Sequence, residues 1–218
     1  MKKILISFAL LTAYQMSLAQ IKPVEVSHYL FPDFTQGTIL MKNGTQRSAQ
    51  LNYNSMTEEM VFEERGQRLA ISEADMQRID SVFIEGRIFV IINQKFKEVL
   101  INDSYILYAE HKCNIVSPGK PAAYGGRSHS STSTSYGRIT TSAGIYELKL
   151  PDGYEAKPYI VYWLRKSDQL ERFANVRQLR RLYSDKRNEL RDYTRRHDVD
   201  FNNQDDVKRL IRFLEKTI

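Results

Sequence analysis

"YIVYWL", Tyr159 to Leu164, is the most hydrophobic run that follows the N-terminal segment. Both of its alternating faces are apolar, so a strand made from it must be covered on both sides. One cover is other strands. The second is implied by what comes next, because after Arg165 the apolar period changes from two to 3.6. Leu170, Phe173, Val176, Leu179 and Leu182 form one stripe, with Arg172, Arg177, Arg180 and Arg181 beside or away from it. The run therefore marks the place where a β region gives way to helices, and predicts that those helices pack on it.

Three helices are expected. Ser184-Asp185 can cap the second, which turns Leu190 and Tyr193 inward. Val199 and Phe201 flank Asp200 in a short extended link. Asn203 then caps a third helix, with Asp205 and Asp206 at its positive end and Val207, Leu210, Ile211 and Leu214 along one face.

Upstream, Gly37 to Val116 has the rhythm of short strands and tight turns. Asn43-Gly44 is a type I′ hairpin signal, since both central residues of that turn need positive φ. Ala49, Leu51 and Tyr53 alternate with Gln50 and Asn52. Arg65-Gly66, Glu85-Gly86 and Asn102-Asp103 separate further runs, and Ser72 to Asp75 reads as a capped helical turn. No long amphipathic helix lies between these runs, which excludes a sheet of parallel crossover units. The fold class is α+β: an antiparallel β meander of about nine strands, as a sandwich or partly closed barrel, followed by a small C-terminal helical unit. The expected divisions are a signal peptide at 1–19, an extended segment at 20–35, the β domain at 36–165 and the helical unit at 166–218.

The signal peptide rests on Met1-Lys2-Lys3, an apolar stretch from Ile4 to Tyr14, and small residues at Ser17 and Ala19. Cleavage is expected between Ala19 and Gln20. The apolar stretch is short for a spanning helix, which needs roughly 20 residues, and no later segment is apolar enough for one. The chain is expected to be exported, and not as a lipoprotein, because its one cysteine is Cys113 and not the residue after the cut. One cysteine also excludes an internal disulfide. The 32 Lys and Arg against 26 Asp and Glu make a mild excess. Outside the cytoplasm it suits solubility first, and anionic envelope polymers or lipid headgroups before nucleic acid.

His111 and Cys113, at i and i+2 on a strand, face one side and could share a metal or form a thiolate dyad. That side also carries Tyr105, Leu107 and Ala109, so it reads as core, where a thiol is inert. Ser128, His129 and Ser130 are adjacent but lie in a Ser- and Gly-rich tract, 117–144, that offers no rigid scaffold for a nucleophile and its base. Gly125-Gly126-Arg127 lacks the glycine spacing of a phosphate cradle. Glu58-Glu59 and Glu63-Glu64 point to opposite faces within each pair and read as solvated strand ends. Asp80-Ser81-Val82 fits a short O-glycosylation pattern. Within the 117–144 tract, taken as a flexible loop, Tyr124, Arg127, Tyr136 and Arg138 are the residue types that anchor contacts.

Two regions carry a resemblance. "QGTILMKNG" with "LNYNSMTEEMVF" (Leu51 to Phe62), and "FANVRQLRRLY" with "DVDFNNQDDVKRLIRFL" towards the C-terminus, resemble uncharacterised exported proteins of Bacteroidetes. The resemblance implies lineage and architecture and brings no catalytic residues. The expected function is a non-enzymatic envelope module, without cofactor, that binds a protein or glycan. The alternatives are an assembly subunit of an envelope complex and a hydrolase whose site is scattered in sequence.

Overall fold

A computed structural model describes residues 28–116 and 155–216, together with the backbone of two short strands at 120–121 and 127–128. The signal peptide and the Ala19–Gln20 cut lie outside the described residues.

The first eight strands are β1 (Thr35–Met41), β2 (Gln46–Asn54), β3 (Glu59–Glu64), β4 (Gln67–Ala70), β5 (Ile79–Ile84), β6 (Arg87–Ile92), β7 (Lys95–Asn102) and β8 (Ile106–Val116), with helix α1 (Glu73–Met76) between β4 and β5. β9 (Lys120–Pro121) and β10 (Arg127–Ser128) pair with each other. β11 (Glu155–Lys166) and β12 (Gln169–Phe173) precede α2 (Val176–Leu182), α3 (Arg187–His197) and α4 (Gln204–Lys216). All but β9 and β10 join one antiparallel sheet, ordered β12-β11-β8-β7-β6-β5-β1-β2-β3-β4. The α+β expectation stands. The ladder is one ten-stranded sheet and not the two stacked sheets of a sandwich, and its end strands do not pair to close a barrel.

It does curl. Tyr53 on β2 donates from its hydroxyl to the carbonyl of His111 on β8, 3.2 Å away, and Lys112 reaches Glu58 beyond the end of β2 at 2.5 Å. The curl encloses one core: Met41, Leu51, Tyr53, Met60, Val82, Ile84, Phe89 and Phe96 pack together, with Phe31. Ala49, Leu51 and Tyr53 face this interior as their alternation predicts. Asn52, on the opposite parity, is also buried, because it holds the incoming chain. Its amide oxygen accepts from Phe31 N, and its nitrogen donates to the carbonyls of Phe31 and Asp33.

Local turn chemistry sets the register. Arg65-Gly66, Glu85-Gly86 and Asn93-Gln94 all have positive φ at both positions, as type I′ hairpins require. Asn43-Gly44 is different: only Gly44 has positive φ, at +85°, and Gly44 N donates to Met41 O. The connection is a type I turn followed by a left-handed glycine, one residue pattern longer than the expected type I′. Gly37 is required for another reason. A Cβ there would sit 2.7 Å from Phe83 O and 2.8 Å from a Leu51 methyl.

The second core joins sheet to helices. Tyr162 and Leu164 from β11, Leu107 and Ala109 from β8 and Phe173 from β12 pack against Leu179, Leu190, Val207, Leu210, Ile211 and Leu214. The helical cover predicted from Tyr159–Leu164 is therefore present on one face. Among the described residues no second strand layer covers the other face, where Trp163 lies against charged side chains described below. The stripe that begins at Leu170 is corrected too. Leu170 and Phe173 belong to β12, paired with Arg165 and Tyr162 across a turn at Ser167, and the helical period starts only after Asn175. Asn175 caps α2 by accepting from Gln178 N. Asn203 accepts from Asp205 N as expected, whereas α3 starts at Arg187 with no side-chain cap from Ser184 or Asp185.

Candidate functional site

Strand β8 is buried on both faces from Leu107 to His111, and each face carries a polar cluster. The inner one begins with Glu98 on β7. Register places Glu98 opposite Ala109 and Phe89, so His111 and Arg87 lie diagonally, two residues along on the neighbouring strands and on the same face. Arg87 grips Glu98 with two parallel bonds, Nε to Oε1 at 2.6 Å and Nη2 to Oε2 at 2.5 Å. His111 Nε2 is 2.8 Å from Glu98 Oε2. Gln204, the first residue of α4, donates from Nε2 to the same oxygen at 2.7 Å. The Arg87 guanidinium also lies over the rings of Phe31 and Phe89, 5.1 and 5.6 Å from their centroids. Burial alone would raise the Glu98 pKa. The hydrogen bonds from His111 and Arg87, with the Arg87 charge, outweigh it and hold the carboxyl down at about 2.

The outer cluster begins with Lys97, whose side chain is 1% exposed. Lys97 Nζ lies 3.2 Å from Glu110 Oε1 on β8, and 4.6 Å from the centre of the Trp163 ring on β11. The Trp163 indole donates to Glu110 Oε2 at 2.6 Å. Lys112 bridges Glu110 at 3.5 Å and Glu58 at 2.5 Å, and Lys95 approaches Glu58 at 3.7 Å. Burial pushes the Lys97 pKa down, an effect that the Glu110 charge only partly offsets. Burial would raise the Glu110 pKa, but the Trp163 bond and the two lysines turn the balance downward.

Both clusters are self-neutralising. Each carboxylate is shared among donors that belong to different strands, and in the inner cluster to α4. This arrangement joins elements; Glu98, held ionised by Arg87, His111 and Gln204, has no proton to give as a general acid.

The sequence-derived candidates fare unequally. His111 is buried on the core face, as read, but its partner is Glu98 and not Cys113. Cys113 is half-buried, less than the core-face reading implied, because β8 runs out beyond the helical cover there. Its thiol is raised by burial, as expected. Among the described residues, no group of three or more His, Cys, Asp or Glu could hold a metal ion. Glu58 is not a solvated strand end: it sits in the β2–β3 turn, with φ of 60°, because two lysines from β7 and β8 reach it. Glu63 stays at the surface, 3.5 Å from Arg68. Ser81 of the O-glycosylation pattern is buried on β5 and donates to Asp80 at 3.0 Å, so the folded chain does not offer that hydroxyl. Arg127 falls in β10, opposite Pro121. Tyr124, Tyr136 and Arg138, with His129 and Ser130, lie outside the described residues.

Glu98, Arg87, Gln204, Lys97 and Glu110 were not singled out from sequence. The available signal was charge inside strands: Lys97-Glu98 interrupts the apolar run of β7, and Glu110-His111-Lys112 interrupts β8. No family model, no curated protein and no solved structure matches this chain.

Proposed function

We propose that this protein is an exported cell-envelope module, without catalytic activity, that binds a protein or glycan partner through the connection between β8 and β11. One observation carries the reading. β8 and β11 are paired without a break from Ile106–Arg165 to Val116–Glu155, in the body of the sheet, so residues 117–154 spring from a rigid two-stranded stem. A connection of that length on a fixed scaffold is a common place for recognition residues. Tyr124, Arg127, Tyr136 and Arg138 are its proposed anchors. The self-neutralised clusters support the non-enzymatic reading, since their charges hold the sheet and α4 together.

The edges of the sheet weigh against the assembly-subunit alternative. β4 is four residues long and exposes Gln67 and Arg68, while β12 exposes Gln169, Glu171 and Arg172. Short, charged edges discourage strand addition by a neighbouring chain. The test is deletion of Ala122 to Ser142 from the tagged protein, followed by capture from the envelope fraction of the source cells. Loss of the captured protein or glycan with unchanged thermal stability supports the reading; unchanged capture removes the loop from it.

A further inference from the structure

The excess positive charge of this chain is not spread over its surface. Eight of its 32 Lys and Arg, and three of its 26 Asp and Glu, lie in residues 176–197, which leaves 24 against 23 elsewhere. That span is α2 and α3 with their link. Seven of the eight cations are arginines: Arg177, Arg180 and Arg181 on α2, and Arg187, Arg191, Arg195 and Arg196 on α3. All seven are exposed. On α2 they stand at i, i+3 and i+4, one face. On α3, Arg187, Arg191 and Arg195 stand at i, i+4 and i+8, a stripe with a step of about 6 Å along the axis.

Ordinary helix energetics explain part of this. Arg180, Arg181, Arg195 and Arg196 lie in last turns, where a cation offsets the helix dipole. Arg177 and Arg187 lie in first turns, where a cation opposes it. α2 has no acidic residue in its first turn. Intrahelical pairing does not account for these positions either. Asp192 takes Arg195 at 3.0 Å and Arg191 at 3.7 Å, while Arg177, Arg180, Arg181 and Arg187 join no ion pair among the described residues. The apolar faces of both helices are already used, since Leu179 and Leu190 are wholly buried against the sheet. The large hydrophobics left exposed, Phe83 and Ile88, sit on β5 and β6. A membrane-surface helix needs an apolar face to insert, and the exposed residues of α2 and α3 are all polar or charged: the seven arginines with Asn188, Glu189 and His197.

We infer that α2 and α3 form a docking surface for an acidic polysaccharide, a soluble polymer with repeated anionic groups. Guanidinium forks match carboxylate and phosphate oxygens in pairs, and a stripe of them matches successive charged sugars along one chain. This surface is distinct from the β8–β11 connection and does not depend on it. The probe is polygalacturonate, titrated into the full chain at about physiological ionic strength. Replacing Arg187→Ser, Arg191→Ser and Arg195→Ser together should weaken binding about tenfold or more and flatten its dependence on salt. Replacing the same three by lysine should give an intermediate loss. Removing equal charge from exposed turns, with Lys42→Gln, Arg47→Gln and Arg65→Gln, should leave affinity nearly unchanged. The chain lacking Ala122 to Ser142 should bind the polymer as the full chain does, whatever becomes of the captured partner. Equal losses in the helical Arg→Ser variant and the turn variant, no binding by the parent chain, or binding to phosphatidylglycerol vesicles but not to the polymer would each overturn the inference.

Discussion

His111 Nε2 lies 2.8 Å from Glu98 Oε2, although the sheet register places Ala109, not His111, opposite Glu98. The contact is a diagonal one, and it is Arg87 and Gln204 that make it persist. Arg87 fixes both carboxylate oxygens from β6, and Gln204 reaches the shared oxygen from α4. Strands β6, β7 and β8 and the first residue of the last helix are thereby tied through one buried anion.

Removing that anion should be costly. Glu98→Leu leaves His111 and Gln204 without their acceptor and Arg87 without its counter-charge. Breaking a buried pair on one side typically costs about 3 to 5 kcal/mol. Arg87 keeps 27% of its side chain exposed and can turn to water, so about 3 kcal/mol is expected here. The paired variant, Glu98→Leu with Arg87→Met, should recover part of the loss. Urea unfolding of the two single variants and the double variant measures this. Strict additivity would mean that the two residues are not coupled.

Acid should find the same group. The folded Glu98 carboxyl titrates at about 2, below its ordinary 4.5, so the unfolded chain binds the extra proton first. Its contribution is complete above the ordinary value and disappears as pH falls from there towards 2. A shift of that size corresponds to roughly 3 kcal/mol. The parent chain should lose that much more stability than Glu98→Gln between pH 5 and pH 2, measured by thermal or urea unfolding. Parallel pH profiles for the two proteins would refute the assignment.

Gly37 tests how closely β1 approaches Phe83 on β5 and Leu51 on β2. Its φ is not in the left-handed region, so an alanine there is not strained by backbone geometry. It is opposed by Phe83 O and Leu51 instead. A methyl group forced into that contact should cost about 1 to 3 kcal/mol. Gly44→Ala meets open space and bears only its positive φ, at about 1 kcal/mol. Thermal midpoints should therefore rank parent, Gly44→Ala, Gly37→Ala from highest to lowest.

Much of this fold was legible in the sequence because turns and apolar period are local properties. Arg65-Gly66 and Glu85-Gly86 gave two hairpins correctly, and Asn203 gave the start of α4. Leu170 and Phe173 misled because their spacing fits a helix; pairing with Arg165 and Tyr162 overrides it, and that partnership is visible only in three dimensions. The curl was equally hidden. It depends on Tyr53 and Glu58 meeting β8, more than fifty residues away in sequence. The inner cluster failed to appear for the same reason. Arg87, Glu98, His111 and Gln204 each look like an isolated polar residue until register and the docking of α4 bring them to one point. The outer cluster gave a clearer hint, since a Lys97 within an otherwise largely apolar strand has to find a partner.

Sheet and helices should unfold together. Leu210 on α4 is wholly buried in the core that contains Tyr162, Leu164 and Phe173, so the helical layer shares its interior with the sheet. Tyr162 adds a second tie, donating from its hydroxyl to Phe201 O at 2.9 Å in the link before α4. Trp163, the one tryptophan of the chain, is next to Tyr162 on the opposite face, held by Glu110. Its fluorescence therefore reports the sheet, while far-ultraviolet circular dichroism near the helical minimum reports α2 to α4. Leu210→Ala should cost about 2 to 5 kcal/mol, and Tyr162→Phe about 1 kcal/mol. In each variant the two signals should move together and by the same amount. A helical transition at lower urea than the Trp163 transition would show that the helices form a separate unit, and that the buried contacts of Leu210 do not bind the two layers into one cooperative fold.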